Sequence, residues 1–316
     1  MKVFITRAIP DAGIQLLKKN GFEVSVYKKD NPIPLKELIK HIKDCDALIS
    51  LLSDKIDKEV IDSMKRCRII ANYAVGFNNV DVAYAKSKGI IVTNTPDVLT
   101  DSTADLTMAL VLACARRIPE AEKFVRDKKF VGWKPKLFLG VELRDKYFGI
   151  LGAGRIGSAV AERAYSFGCK IIYYSNSNNK YLDDKFNARK LSLNSVLKKS
   201  DILSIHLPLN SKTNNLLNES NLHLLKKSSI FINTARGEIV DENILIKMLK
   251  ENKLFAAGFD VYDNEPNLKK EFFNLKNVIL LPHIGSGTIE ARNKMSLLVA
   301  KNVIAVLSGK NAITPV

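Results

Sequence analysis

Tyr147-Phe-Gly-Ile-Leu-Gly-Ala-Gly-Arg-Ile-Gly157 runs an apolar strand straight into Gly152-x-Gly154-x-x-Gly157, and a helix-like run from Ser158 to Phe167 follows. Each glycine has a separate use. Gly152 permits a tight turn, Gly154 lets the backbone approach a pyrophosphate, and Gly157 allows close packing of helix on strand. The anion then rests on the unpaired N–H groups of a helix N-terminus. The same glycines without flanking elements would say little; with a strand before and a helix after, they indicate a dinucleotide site.

The residues after the second strand of such a unit select the dinucleotide. An NAD-specific domain usually places an acid there to hold the ribose 2′-OH. In this chain the strand Lys170–Tyr174 is followed by Ser175-Asn176-Ser177-Asn178-Asn179-Lys180, with no acid, and Asp183 and Asp184 come later. A small polar rim with Lys180 suits a 2′-phosphate, so the expected cofactor is NADP, with NAD the alternative.

Outward from this unit, apolar runs alternate with helical periodicity along the chain. Strands are expected at Val3–Thr6, Val24–Tyr27, Ala47–Ser50, Ile69–Ala71 and Ile90–Thr93, with helices near 11–19, 35–42, 57–65 and 80–88. A long helix is expected from Asp101 to about Lys128, capped by Asp101 or Ser102. A second α/β unit follows, with strands Tyr147–Leu151, Lys170–Tyr174, Ile202–His206, Ser229–Asn233, Ala256–Asp260 and Val278–Leu281. The helical stretch from Gly285 to about Ser308 cannot extend that second sheet. It is expected to return to the first unit and make that domain discontinuous, with a cofactor cleft between the two.

Composition bounds the function. The chain has 316 residues, enough for about two domains, and 46% apolar content suffices for packed cores. It contains no run of about 18 uncharged apolar residues. The opening MKVFITRAIP reads as a first strand and not a signal peptide, so a cytoplasmic location is expected. Cys45, Cys67, Cys114 and Cys169 lack CxxC spacing and lie in apolar or helical surroundings, as free thiols do; no metal is expected. The net charge of +16 invites a nucleic-acid reading. The lysines, however, are spread along the chain in pairs at most, without an arginine-rich arm, which describes a solvated surface.

Several further motifs stand in one order: Ala74-Val-Gly-Phe-Asn-Asn-Val-Asp81, Asn94-Thr-Pro-Asp-Val-Leu-Thr-Asp-Ser-Thr-Ala-Asp105, Gly132-Trp-Lys-Pro135, His206-Leu-Pro-Leu209, Asn233-Thr-Ala-Arg-Gly237, Asp260-Val-Tyr-Asp-Asn-Glu-Pro266 and Leu281-Pro-His-Ile-Gly285. With the glycine loop, they make the chain resemble the D-isomer-specific 2-hydroxyacid dehydrogenases, in their glyoxylate/hydroxypyruvate reductase branch. The resemblance implies an α/β fold of two doubly wound parallel-sheet domains, a Rossmann-type cofactor domain (99–284) inserted in a flavodoxin-like substrate domain (1–98 and 285–316). It also implies hydride transfer from NAD(P)H to a small 2-keto acid, and a homodimer paired through the cofactor domain. With the chain ending at Val316, no C-terminal regulatory domain is expected. Two rival readings share the fold: a phosphoglycerate dehydrogenase, for which no phosphate-anchoring motif is visible, and a dinucleotide-sensing corepressor, for which no extra interaction domain is visible.

Reduction of a 2-keto acid needs a cation for the carboxylate, an acid for the carbonyl oxygen and a poised nicotinamide. Arg236, Glu265 and His283 each follow a predicted strand, on the sheet edge where doubly wound folds bind ligands. Arginine's planar fork suits a carboxylate. Histidine's ordinary pKa of about 6.5 suits a proton donor, and Glu265 would fix its tautomer and favour its charged form. His206 is the internal control, a histidine also expected at a strand end but in a cofactor-wall motif. From the resemblance, Val75, Gly76 and Arg236 are expected to hold the substrate carboxylate, and Leu52 and Ser53 to line an outer wall. The expected cofactor contacts are Gly152, Ala153, Gly154, Arg155, Ile156 and Gly157 at the pyrophosphate, and Ser175, Asn176 and Ser177 at the ribose. Leu207, Thr234, Ala235, Arg236, Asp260, His283 and Gly285 are expected along the nicotinamide half. Trp133 is expected either to reach a neighbouring subunit or to anchor packing.

Overall fold

A computed structural model describes all 316 residues, and the chain divides into two compact units. The first comprises Met1–Leu99 and Ser286–Val316, the second Thr100–Gly285.

The first unit alternates β1 (Lys2–Ile5), α1 (Asp11–Lys19), β2 (Glu23–Val26), α2 (Leu35–Ile42), β3 (Ala47–Ser50), α3 (Lys58–Ser63), β4 (Ile69–Asn72), α4 (Val82–Ser87) and β5 (Ile91–Thr93). All its strand pairs are parallel, in the order β2-β1-β3-β4-β5, the flavodoxin-like arrangement. Strands β3 and β4 are buried throughout, as expected where helices cover both faces of a parallel sheet. The helix starts are legible in the residues: Asp57 and Asp81 accept backbone N–H groups of the first turns of α3 and α4.

In the second unit come α5 (Thr100–Ala115), α6 (Ile118–Arg126), β6 (Tyr147–Leu151), α7 (Arg155–Ser166), β7 (Lys170–Tyr174), α8 (Lys180–Phe186), β8 (Arg189–Lys190), α9 (Leu193–Lys199) and β9 (Ile202–Ile205). It continues with α10 (Glu219–Leu222), β10 (Ile230–Asn233), α11 (Glu242–Lys250), β11 (Ala256–Phe259) and β12 (Val278–Leu280). Its sheet is parallel, in the order β12-β11-β10-β9-β6-β7-β8. Strand order reverses between β6 and β9, so their carboxyl ends flank the switch-point crevice of a Rossmann-type sheet. Helix α5 packs on α7 and across β10 and β11, where a Cβ on Gly258 would lie 3.2 Å from Leu110. The last helix, α12 (Ile289–Leu307), packs on α1 and β4 within the first unit.

Two expectations are corrected. The helix expected from Asp101 to Lys128 is two helices: Arg117 turns left-handed at φ 53° and Pro119 opens the next helix, because proline cannot donate to a preceding carbonyl and clashes with the turn before it. The first of the two starts at Thr100, so Asp101 sits in its first turn and Ser102 is buried within it, neither as a cap. The edge strand β8 was not foreseen, having two residues and no apolar run. All four cysteines are buried and free. No helix is long and apolar enough to cross a membrane.

Candidate active site

Strands β10, β11 and β12 are neighbours and parallel, so the loops after them leave the same edge of the sheet. These loops carry Arg236, Glu265 and His283 respectively. The sequence Val261–Pro266 lies close over the Arg236-Gly237 backbone: a Cβ on Gly237 would fall 1.9 Å from the Tyr262 carbonyl carbon and 2.1 Å from the Asp263 nitrogen. Only glycine fits under that loop.

Glu265 accepts at both oxygens. Its Oε2 lies 2.8 Å from His283 Nδ1, and its Oε1 accepts the Tyr262 N–H at 2.9 Å. Burial opposes ionisation of this carboxyl, but the hydrogen bond and charge of His283, the Tyr262 N–H and the Arg236 charge together hold it below the usual carboxylate range. With Nδ1 engaged, Nε2 is the nitrogen His283 can present to a reacting group. His283 adopts φ 55°, left-handed backbone that few non-glycine residues take up, histidine being among the more tolerant. Its surroundings impose it: Asp260, at the end of β11, accepts the N–H groups of Ile284 and Gly285, both at 2.7 Å. The Tyr262 hydroxyl donates to the Leu281 carbonyl at 2.8 Å. Burial raises the Asp260 carboxyl above its ordinary range, against the pull of those amides and of His283.

Arg236 donates from Nη1 to the Ala235 carbonyl at 2.6 Å, and Asn233 braces the turn by donating to the Arg236 carbonyl at 2.9 Å. Burial pulls the guanidinium below its ordinary range, opposed by Glu238 and Glu265; arginine stays charged even so. Thr234 faces Thr107 of α5, hydroxyl to hydroxyl, at 3.0 Å.

The glycine loop fits a dinucleotide. Gly152 has φ 99°, and a Cβ there would lie 2.7 Å from the His206 carbonyl; one on Gly157 would lie 2.1 Å from the Gly152 oxygen. A Cβ on Gly154 would meet nothing, and no side chain caps α7 above it, so the helix end faces open space, as pyrophosphate binding requires. Ala153, Arg155 and Ile156 lie in that loop and first turn. Ser175, Asn176 and Ser177 follow β7 directly. Asn179, which sequence reasoning left without a role, donates to the Ala153 carbonyl at 2.9 Å and to Ser158 Oγ at 2.8 Å, and caps α8 through Leu182 N–H. It ties the segment after β7 to the glycine loop. Its signal in the sequence was only its place before a helical run.

His206 is held apart from the His283–Glu265 pair by its own surroundings. Its Nε2 sits 2.8 Å from Ser204 Oγ, and burial lowers its pKa to about 3, so it is neutral at working pH. Leu207 follows it against Gly152. In the first unit, Val75 and Gly76 follow β4, with their carbonyls taken by Asn94 and Asn72, at 2.8 and 2.9 Å, so the amides are what this segment can offer a ligand. Leu52 and Ser53 form the turn after β3, where Arg7 donates to Ser53 Oγ at 3.0 Å. Buried Asp54 accepts the Leu51 N–H and the Thr6 hydroxyl. Trp133 is 83% exposed; it is not a packing anchor within the chain, which corrects that alternative.

Glu242 was also missed. It is buried and accepts the Asp263 N–H at 2.8 Å, holding the loop that carries Glu265, while its other oxygen has no partner. Burial raises this carboxyl to about 6.

Comparison with known proteins identifies the family. The family described as D-isomer specific 2-hydroxyacid dehydrogenase, NAD binding domain, matches residues 108–285. The chain is 49% identical to the glyoxylate reductase of Thermococcus kodakarensis over 98% of its length and 94% of that protein's, and 48% identical to the glyoxylate reductase of Pyrococcus horikoshii over 98% and 93%. Among solved structures, the NADPH-dependent glyoxylate/hydroxypyruvate reductase of Sinorhizobium meliloti, in complex with NADP and malonate, superposes with a TM-score of 0.87 at 31% identity, covering 100% of this chain and 96% of that one. A protein from Thermus thermophilus reaches a TM-score of 0.94 at 40% identity, with both chains fully covered. The chain belongs to the D-isomer-specific 2-hydroxyacid dehydrogenase family, in its glyoxylate reductase branch.

Proposed function

We propose that the protein reduces glyoxylate or hydroxypyruvate to the corresponding 2-hydroxy acid in the cytoplasm, with NADPH used at least as well as NADH. The observation that carries this reading is the 2.8 Å contact between His283 and Glu265 on the sheet edge that also presents Arg236. Arg236 is assigned the substrate carboxylate, with the Val75 and Gly76 amides as further donors and Leu52 and Ser53 as wall residues. The substrate's carbonyl oxygen gains negative character as its carbon is reduced, and His283 Nε2–H is assigned to protonate it. Glu265 holds Nδ1–H, so that the other nitrogen points its proton at the substrate, and its charge favours the imidazolium that must do the donating. The bound nicotinamide supplies the hydride. Gly152 to Gly157 are assigned the pyrophosphate, Ser175 to Ser177 the ribose, and Leu207, Thr234, Ala235, Asp260 and Gly285 the nicotinamide half.

Assembly as a homodimer is part of the reading. It is supported by exposed apolar residues within one segment, among them Phe130 at 57%, Val131 at 81%, Trp133 at 83% and Leu139 at 62% exposure, since apolar surface grouped together marks interaction sites.

One kinetic matrix tests the activity: NADH and NADPH against glyoxylate, hydroxypyruvate, pyruvate and 3-phosphohydroxypyruvate. Saturable NADPH oxidation with glyoxylate or hydroxypyruvate is expected. Dinucleotide binding with no turnover on any of the four would overturn the reading, and preference for the phosphorylated acid would reassign the substrate.

A further inference from the structure

We propose that Lys190, on the edge strand β8, recognises the 2′-phosphate of NADPH and so helps set cofactor choice. The inference deepens the proposed function and rests on its placement of the adenosine ribose at Ser175–Ser177.

The unforeseen strand delivers the cation. Strand β8 pairs with β7 in the register Ile172↔Arg189 and Tyr173↔Lys190, so Lys190 lies alongside the last stretch of chain before the rim. Its Nζ donates to the Asn176 carbonyl at 3.0 Å. The ammonium is thus held against the backbone of the rim. An ammonium has three N–H donors; one is spent on Asn176, and two can serve phosphate oxygens.

The other charges around the rim favour the same outcome. Lys180 opens α8 immediately after Asn179, and Arg189 precedes Lys190 on β8. The first acid in the sequence after the rim, Asp183, accepts the Tyr173 hydroxyl at 2.8 Å, and that hydroxyl itself accepts the Asn179 N–H at 2.9 Å. Asp183 is thereby engaged by the hydroxyl of a buried β7 side chain instead of serving a ribose diol. Asp184 is the one further acid in this helix, and it is exposed. A lysine is a strongly hydrated point charge: it gains much from a phosphate near two negative charges and little from a neutral hydroxyl, so its effect should fall on NADPH and spare NADH.

The test is calorimetric binding of two fragments, adenosine 2′,5′-bisphosphate and 5′-AMP, at low and moderate salt, to the wild type and to Lys190→Gln, Lys190→Arg and Ser175→Asp. Lys190→Gln is expected to weaken the 2′,5′-bisphosphate about tenfold, the modest end for a charge-assisted hydrogen bond because the site is open to solvent. It should leave 5′-AMP within about twofold and flatten the salt dependence of the bisphosphate. Lys190→Arg should retain most of the preference. An equal loss for both fragments would show that Lys190 merely orders the rim, and no loss for either would show that it does not meet the phosphate; each result overturns the proposal. Ser175→Asp separates the two levels. If it abolishes the bisphosphate preference while Lys190→Gln leaves that preference intact, the ribose placement stands and Lys190 falls. If the wild type shows no preference and Ser175→Asp moves neither fragment, the placement of the ribose fails and Lys190 with it.

Discussion

Glu265→Gln preserves the size of the side chain and removes its charge, and the geometry makes the consequence calculable. Glu265 accepts from two donors, His283 Nδ1 at one oxygen and the Tyr262 N–H at the other. An amide has one acceptor oxygen. Whichever way the substituted amide is turned, its NH2 faces one of those donors, and if that donor is the imidazolium the charged form is lost. At best the imidazolium then donates to a neutral amide oxygen instead of a carboxylate, a loss of about 1–1.5 kcal/mol. Because the two side chains keep 30% and 33% of their exposure, solvent screening reduces this to about 0.7–1.4 kcal/mol. The sign follows from the chemistry: imidazolium is the proton donor in reduction, and the charge of Glu265, whose carboxyl is itself held low by His283, favours it, so removing that charge costs most at alkaline pH. The assay is kcat/KM for glyoxylate reduction from about pH 5 to 9, a range that brackets the ordinary histidine pKa. At alkaline pH the variant should be about three- to tenfold slower, the rate equivalent of that loss, with a smaller deficit on the acid side. A variant profile that is lower everywhere but superimposes on the wild type after scaling would refute the reasoning, because Glu265 would then be positioning the ring without setting its charge.

Three other outcomes are expected. His283→Ala should slow reduction by roughly 10² to 10⁴, the usual contribution of a positioned acid; a loss under about tenfold would remove His283 from the role, and His206, neutral by burial, is predicted not to substitute for it. Arg236→Ala should damage both KM and kcat, and Arg236→Lys should not restore them because an ammonium cannot form the planar fork; kcat/KM within about threefold of wild type, under about 1 kcal/mol, would sink the assignment. Glu242 supplies a stability test. Its folded pKa of about 6 lies above the ordinary 4.5, so the folded state binds the proton more tightly and stability falls as pH rises from about 4.5 to 6, then stays reduced. Glu242→Gln should therefore raise Tm at about pH 7.5, by up to about 2 kcal/mol of stability, and show little gain at about pH 4.5; an equal change at both pH values would mean that ionisation of Glu242 is not the cause.

Much of this protein was legible before folding because its signals are local. A glycine that must turn at φ 99° between an apolar strand and a helix is a constraint on consecutive residues, and so are the continuous apolar runs of strands buried on both faces. Arg236, Glu265 and His283 could be picked out because each stands just beyond such a run, and parallel strands send all their carboxyl ends to one edge.

Tertiary structure decided whatever depended on neighbours distant in sequence or on burial. The His283–Glu265 bond spans 18 residues and the Glu242–Asp263 bond 21; no periodicity encodes a pair brought together by the order of β10, β11 and β12. Burial separated the histidines, leaving His206 neutral beside Ser204 and His283 partly open beside a carboxylate. It also separated the aromatic residues, exposing Trp133 while enclosing Tyr173. Strand β8 is the clearest case. Two basic residues have no strand signal of their own, and they are extended because β7 offers an unpaired edge whose backbone N–H and C=O groups need partners. That edge pairing, invisible in the sequence, is what carries the Lys190 ammonium to the rim at Asn176.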